Sequence, residues 1–226
     1  MFYDLLQWIV QTDDQILLFI NGMHTPYFDT FMQCYSGKWI WIPMYLSIYF
    51  VVLRNFHWKT MLLCMIGLGL TITFADQVGA TLIRPLVDRL RPSNLDNPIS
   101  GFVHIVDGYR GGRFGFPSCH AANTFGLSFF IHYFFRRSWL SLFLFSWAVL
   151  TCYSRMYLGV HYLGDLLVGT LIGWIGAWLM YRLFLYLSRF QGSFTHPDTL
   201  RYSLFPVCIG LSTIAGIAIY SAFLND

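Results

Sequence analysis

Three features of this 226-residue sequence predict an all-α integral membrane protein, a bundle of about six transmembrane helices with its chemistry at the membrane interface. Only 11% of residues are charged, against 56% hydrophobic and 19% aromatic, where soluble domains carry about 25% charge. Apolar segments recur that approach the roughly 20 residues needed to cross a bilayer. The polar residues able to do chemistry are confined to three clusters beside those segments. A chain of this length fits one bundle, so residues 1–226 are expected to form a single domain.

Residues 1–38 mix acidic and aromatic positions (Asp13, Asp14, Phe19, Tyr27, Phe28, Asp29), and Asn21-Gly22 marks a turn. Short helices lying at the interface are predicted there. Met1 to Gln11 carries Asp4 and no early basic group, unlike the front of a cleavable signal peptide, so it reads as mature chain. The first span runs from Trp39 to Leu53 and the second from Trp58 to Ile83; the second is predicted to carry Arg84 through Arg91 out of the membrane before Pro92 stops the helix. Ser93 to Pro117 is rich in Gly, Pro, Asn and Asp, whose backbone would lack partners in hydrocarbon, and is expected to be an exposed loop. Four further spans are predicted at Ala121–Phe135, Trp139–Tyr153, Leu163–Leu187 and Leu204–Phe223.

Charge orients these spans. With the candidate site arginines set aside, Arg54, Lys59, Arg136, Arg137, Arg189 and Arg201 fall on one face, and Lys38, Arg89, Arg110 and Arg113 on the other. The positive-inside rule favours a cytoplasmic location for the first set. That puts the three clusters on the periplasmic or extracytoplasmic side of an inner membrane. The net charge of +3 is spread singly and in pairs, which argues against nucleic-acid binding. Cys34, Cys64, Cys119, Cys152 and Cys208 are odd in number and scattered, and indicate neither a zinc site nor a disulfide framework.

The first cluster is Arg84 with Arg91-Pro92. Seven residues apart on one helix, the two guanidiniums would share a face and offer planar forks of donors to phosphate oxygens. Taken alone, the pair reads equally as interfacial snorkelling, with Asp88 paired to Arg84. The second is Pro117-Ser118-Cys119-His120. Ser118 is a candidate N-cap, the first-turn amides attract an anion, and His120 is placed to give a proton to a departing oxygen. By itself this is also an ordinary cap beside a satisfied histidine. The third is Ser154-Arg155 with His161 and Asp165. At four-residue spacing the carboxylate can hold the Nδ1 proton and leave Nε2 as a nucleophile. Together the three clusters describe a phosphate-transfer site.

The arrangement Arg84-x6-Arg91-Pro92, Pro117-Ser118-x-His120, Ser154-Arg155-x5-His161-x3-Asp165 resembles the three-part signature of type 2 phosphatidic acid phosphatases, the superfamily that includes vanadium haloperoxidases. The resemblance implies that His161 attacks phosphorus to form a phosphohistidine, that Asp165 orients it, and that His120 protonates the leaving group. Arg84, Arg91, Ser118, the Cys119 amide and Arg155 would hold the phosphate. It implies no metal and no cofactor. Arg84 stands where the family usually has lysine, and Cys119 where it usually has glycine. A cysteine nucleophile is disfavoured because the C-x5-R loop it needs is absent: Phe125 lies six after Cys119.

The resemblance implies a lipid phosphate substrate presented from the bilayer. Lipid A phosphate is favoured, because the aromatic N-terminal segment and short Ser93–Phe116 loop are similar to bacterial lipid A phosphatases of this family. A polyprenyl diphosphate such as undecaprenyl diphosphate, phosphatidylglycerol phosphate and phosphatidic acid are the alternatives. A haloperoxidase holding vanadate on His161, or a non-catalytic lipid-binding membrane protein, represents a different class. Asp76, inside the second span, is expected to join a polar network beneath the site; Arg110 and Arg113 read as solvated loop charge; His24, His104 and His196 receive no role. Motifs leave the oligomeric state open.

Overall fold

Among the described residues the chain forms nine α-helices, and they break where the polar clusters lie. The structure, a computed structural model, describes residues 2–192, 194–197 and 199–225. The helices are α1 (Phe2–Asn21), α2 (Pro26–Tyr35), α3 (Ile42–Asn55), α4 (Trp58–Asp76), α5 (Arg84–Val87), α6 (Cys119–Phe135), α7 (Ser138–Tyr157), α8 (Leu163–Ser188) and α9 (Phe205–Asn225).

The N-terminal segment is more regular than expected. Nothing between Phe2 and Asn21 breaks a helix, so α1 runs unbroken for 20 residues to the turn at Gly22. It exposes Tyr3, Leu5 and Trp8 but buries Asp13 and Leu17. Thr25 then caps α2, its hydroxyl accepting from the Phe28 amide at 3.2 Å, with Pro26 in the first turn where its missing N–H costs nothing. Ser36 and Gly37 break the chain before a short 3-10 turn over Trp39–Trp41 leads into α3. The expected first span is therefore the second limb of an element bent by 66°.

Among the described residues, three helices are long and apolar enough to cross a membrane: Trp58–Val87 counted through its internal irregularity, α8 and α9. The bent pair makes a fourth. This is fewer than the six spans expected, because α6 has only 17 residues and the Ser, Trp and Tyr residues of α7 lower its mean hydropathy.

The second predicted span is not one regular helix. After Asp76 it widens into a π-helix over Gln77–Ile83, resumes as the single turn of α5, and ends where Asp88 adopts a left-handed conformation at φ 49°. Leu90 then bridges to Phe114, and Arg91 lies beyond the helix. The expectation that Arg84 and Arg91 share one helical face is thus overturned. They are brought together by a turn.

The most extensive helix packing is among α4, α6 and α8. Glycines set the closest approach: a Cβ on Gly169 would strike the Ser118 carbonyl, one on Gly173 the Ala122 carbonyl, and one on Gly67 the Phe130 ring. Small residues at four-residue spacing let helix backbones touch in this way. At one end, Phe56, Phe134, Phe184 and Phe194 form an aromatic cluster beside the last turn of α3, which carries Arg54, and the connections that carry Arg136, Arg137 and Arg201. The three polar clusters lie at the other end, covered by the 93–117 loop. Asn21 holds that loop through the backbone N–H and C=O of His104, and Asn97 donates to the Tyr162 hydroxyl at 2.9 Å.

Candidate active site

Helix ends position the site. Ser118 is the N-cap of α6, accepting from the Ala121 amide at 3.4 Å, and its own amide donates to the Asp165 carbonyl at 3.0 Å. The start of α6 is therefore fastened to the first turn of α8. On α8, the Asp165 carboxylate reaches back to the Tyr162 amide at 3.1 Å, as a capping box does. Between α7 and α8 the turn at Gly159, φ +67°, leaves His161 fully enclosed at 1% exposure.

The structure brings His161 and Asp165 together. Its Nδ1 lies 3.3 Å from Asp165 Oδ2, and its Nε2 lies 2.8 Å from Arg91 Nη1. A guanidinium can only donate, so Nε2 is the unprotonated nitrogen and the proton sits on Nδ1, toward the carboxylate. Burial, followed by the charges of Arg91, Arg155 and Arg84, holds the His161 pKa well below its ordinary value. The imidazole is neutral with its lone pair aimed at a cation.

The arginines converge from three elements. Arg91 donates to the Val160 carbonyl at 2.9 Å as well as to His161, and burial with the neighbouring Arg155 and Arg84 lowers its pKa to about 10. It stays charged near neutrality. Arg84 donates to the Pro117 carbonyl and to Cys119 Sγ, both at 3.1 Å. Arg155 is buried, and its guanidinium is held by the Ser36 hydroxyl and the Tyr109 hydroxyl. Among the described residues, the buried Nε atoms of Arg84, Arg91 and Arg155 have no hydrogen-bond acceptor. Cationic donors left unsatisfied are costly, and a bound anion would satisfy them.

Arg84, Arg91, Cys119, His120 and His161 line one cavity of about 750 Å³. Ser118 and Arg155 stand behind this wall, Ser118 as the cap and Arg155 through Ser36, which does line it. Away from the arginines the wall becomes apolar, with Trp41, Tyr45, Leu68, Ile72 and Trp147. The Cys119 side chain faces Gly79 of the π-helix, where even an added Cβ would make only ordinary contact, 3.5 Å from Sγ.

Sequence reasoning missed several groups. Arg89, counted only as loop charge, donates to Asp165 Oδ1 at 3.1 Å and to Asp13 Oδ2 at 2.7 Å, with its guanidinium 3.8 Å above the Tyr162 ring. Asp13 also accepts from the Gly164 amide at 3.0 Å. The available signal was its position one turn before buried Leu17, on the packed face of α1. Arg110 proves structural, donating to the Ser93 carbonyl at 2.6 Å, and Arg113 is an exposed partner of Asp96. His24 and His104, given no role, stack with ring centroids 3.7 Å apart, and His104 Nε2 lies 2.8 Å from Asp29.

Comparison with known proteins agrees with this geometry. The family model of the PAP2 superfamily matches residues 58–189, which contain all three clusters. The chain belongs to the PAP2 superfamily. Among its PAP2 relatives, a protein of Bacteroides thetaiotaomicron named lipid A 4'-phosphatase is 49% identical over 221 residues, covering 96% of this chain and 98% of the relative. A lipid A 4'-phosphatase of Porphyromonas gingivalis is 31% identical, covering 86% and 84%. The crystal structure of Aquifex aeolicus LpxE shares the fold, with a TM-score of 0.55 and 22% identity over 74% of this chain and 93% of that one.

Proposed function

We propose that this chain is a membrane-embedded lipid phosphatase that removes a phosphate from lipid A through a phosphohistidine on His161. The observation that carries the reading is the orientation of His161: Nδ1 toward Asp165, and Nε2 unprotonated in a cavity shared with Arg84, Arg91 and His120. Binding alone has no use for a nucleophile with its orienting acid. The two lipid A 4'-phosphatases similar along nearly the whole chain support lipid A over undecaprenyl diphosphate, phosphatidylglycerol phosphate or phosphatidic acid.

In this reading an entering phosphate takes over the hydrogen bond that Arg91 makes to Nε2. The Nε2–P bond forms as the bond from phosphorus to the sugar oxygen breaks, and His120, which takes up a proton once the phosphate's charge offsets the surrounding arginines, gives that proton to the oxygen. Water then attacks phosphorus, His120 recovers a proton from it, and the Nε2–P bond breaks to release inorganic phosphate. Arg84, Arg91 and Arg155, with the α6 amides behind Ser118, offset the charge on the equatorial oxygens, the main demand of phosphoryl transfer.

The apolar wall of the cavity supports a lipid entering from the bilayer, and hence a site at the membrane interface. The gathering of Arg54, Arg136, Arg137 and Arg201 at the opposite end supports an inner-membrane protein with its site facing the periplasm. The test is phosphate release by detergent-purified protein from lipid A, undecaprenyl diphosphate, phosphatidylglycerol phosphate and phosphatidic acid, with and without EDTA. Lipid A is expected to turn over fastest, EDTA to change little, and His161→Ala to lower release by at least about a thousand-fold, as loss of a covalent nucleophile does. Retained turnover in that variant would overturn the mechanism.

A further inference from the structure

Two polar side chains in the cavity have no part in phosphate transfer. Asp76 closes the regular part of α4 inside the candidate span Trp58–Val87, where an ionisable group is expensive and marks function by default. Asn123 stands one turn after His120 on the same face of α6. Its Nδ2 donates to Asp76 Oδ1 at 3.0 Å, and its Oδ1 is buried with no donor among the described residues. Both residues line the cavity with Arg84 and His120.

The chemistry of the pair differs from that of its surroundings. Because the Asn123 amide donates to Asp76, what the pair has left is acceptors: the second Asp76 oxygen, with the Asn123 carbonyl oxygen buried beside it and unpaired among the described residues. Acceptors repel a phosphate, so they cannot extend the arginine site. They suit a neutral part of the substrate that donates hydrogen bonds. The π-helix that starts at Gln77 carries the chain on to Arg84, so Asp76 and a phosphate-binding arginine are set along one helical element.

We infer that Asp76 and Asn123 form a subsite for hydroxyl or amide N–H groups on the sugar that bears the transferred phosphate. The inference rests on the lipid A reading and deepens it: the subsite would select sugar phosphates over phosphates on a glycerol that has no free donor.

The test compares kcat/KM for lipid A with that for phosphatidic acid in wild-type protein and in Asp76→Asn, Asp76→Leu and Asn123→Leu. Inhibition by vanadate reports that each variant keeps a folded phosphate site. The preference for lipid A is expected to fall about ten- to a hundred-fold, the worth of one or two hydrogen bonds to a charged or buried group. An unchanged preference in the vanadate-sensitive variants, with both substrates slowed equally, would overturn the subsite. A wild-type enzyme that prefers phosphatidic acid would overturn the lipid A reading beneath it.

Discussion

His161 shows how burial gives a common side chain a defined tautomer, the one that the proposed nucleophile needs. Its ring is enclosed, Asp165 takes the Nδ1 proton, and Arg91 fixes Nε2 as an acceptor. That arrangement has a cost that pH reveals. The folded pKa lies well below the ordinary value of 6.5, whereas the unfolded chain titrates normally. As pH falls below about 6.5 the unfolded state gains a proton that the folded state refuses, so stability drops by up to about 1.4 kcal/mol per pH unit. Above that pH neither state is protonated and the dependence vanishes. The thermal midpoint in detergent is expected to fall more steeply between pH 6.5 and 5 for wild-type protein than for His161→Gln, and equal slopes would show that His161 titrates normally. Arg89 belongs to the same scale. Held between Asp165 and Asp13, it pairs with both carboxylates and ties the start of α8 to α1. No local spacing announces this contact, because its three members come from positions 13, 89 and 165.

Among elements, the decisive contact is α6 against α8. Gly169 and Gly173 let α8 lie on the backbone of α6 at Ser118 and Ala122, and that contact sets the Ser118 cap beside the first turn that carries Asp165. A methyl group at Gly169 meets a backbone carbonyl that has no rotamer to move into. Gly169→Ala is therefore expected to lower the thermal midpoint, at a cost of about 1–3 kcal/mol, and to reduce phosphate release at least about ten-fold by shifting Ser118 from Asp165. Gly216→Ala on α9, where an added Cβ has nothing within 4 Å, is the control and is expected to leave the thermal midpoint unchanged or raise it slightly. Wild-type behaviour of Gly169→Ala would mean that the helices tolerate separation. The helices themselves were legible because their apolar runs are long and bounded by turn residues, as at Asn21-Gly22 and Ser93–Pro117. The π-helix was not. Within Gln77–Ile83 only Gly79 weakens an α-helix, and Pro85, whose missing N–H leaves the Thr81 carbonyl without its α-helical donor, lies just beyond; the widening itself is apparent only in the fold, where Gly79 lies opposite Cys119 and Pro117.

For the whole molecule, what the chain revealed and what it hid follow one physical division. The residues of the three clusters were legible because their internal spacings are short enough to be fixed by single helices or turns, as for His161 and Asp165. The acceptors at Asp76 and Asn123 lie 47 positions apart, and only helix packing brings them together. Orientation in the membrane lies between these cases. The sequence supplies charges on two sets of loops, and the fold separates those sets: Arg137 donates to the Pro197 carbonyl and Asn55 to the Arg201 carbonyl at one end, whereas Arg89 and Arg110 belong to the other. Basic residues are retained on the cytoplasmic side, so the Arg91–His161 end should face outward. Single cysteines at Gly112, exposed with open space around its Cα, and at Thr199, exposed in the α8–α9 connection, test this in a background whose five native cysteines are replaced by serine or alanine. In intact spheroplasts a membrane-impermeant maleimide is expected to label Gly112→Cys and to reach Thr199→Cys only after lysis. The reverse pattern would place the phosphatase site on the cytoplasmic face, where it would meet newly made lipid before export instead of lipid already delivered to the outer leaflet.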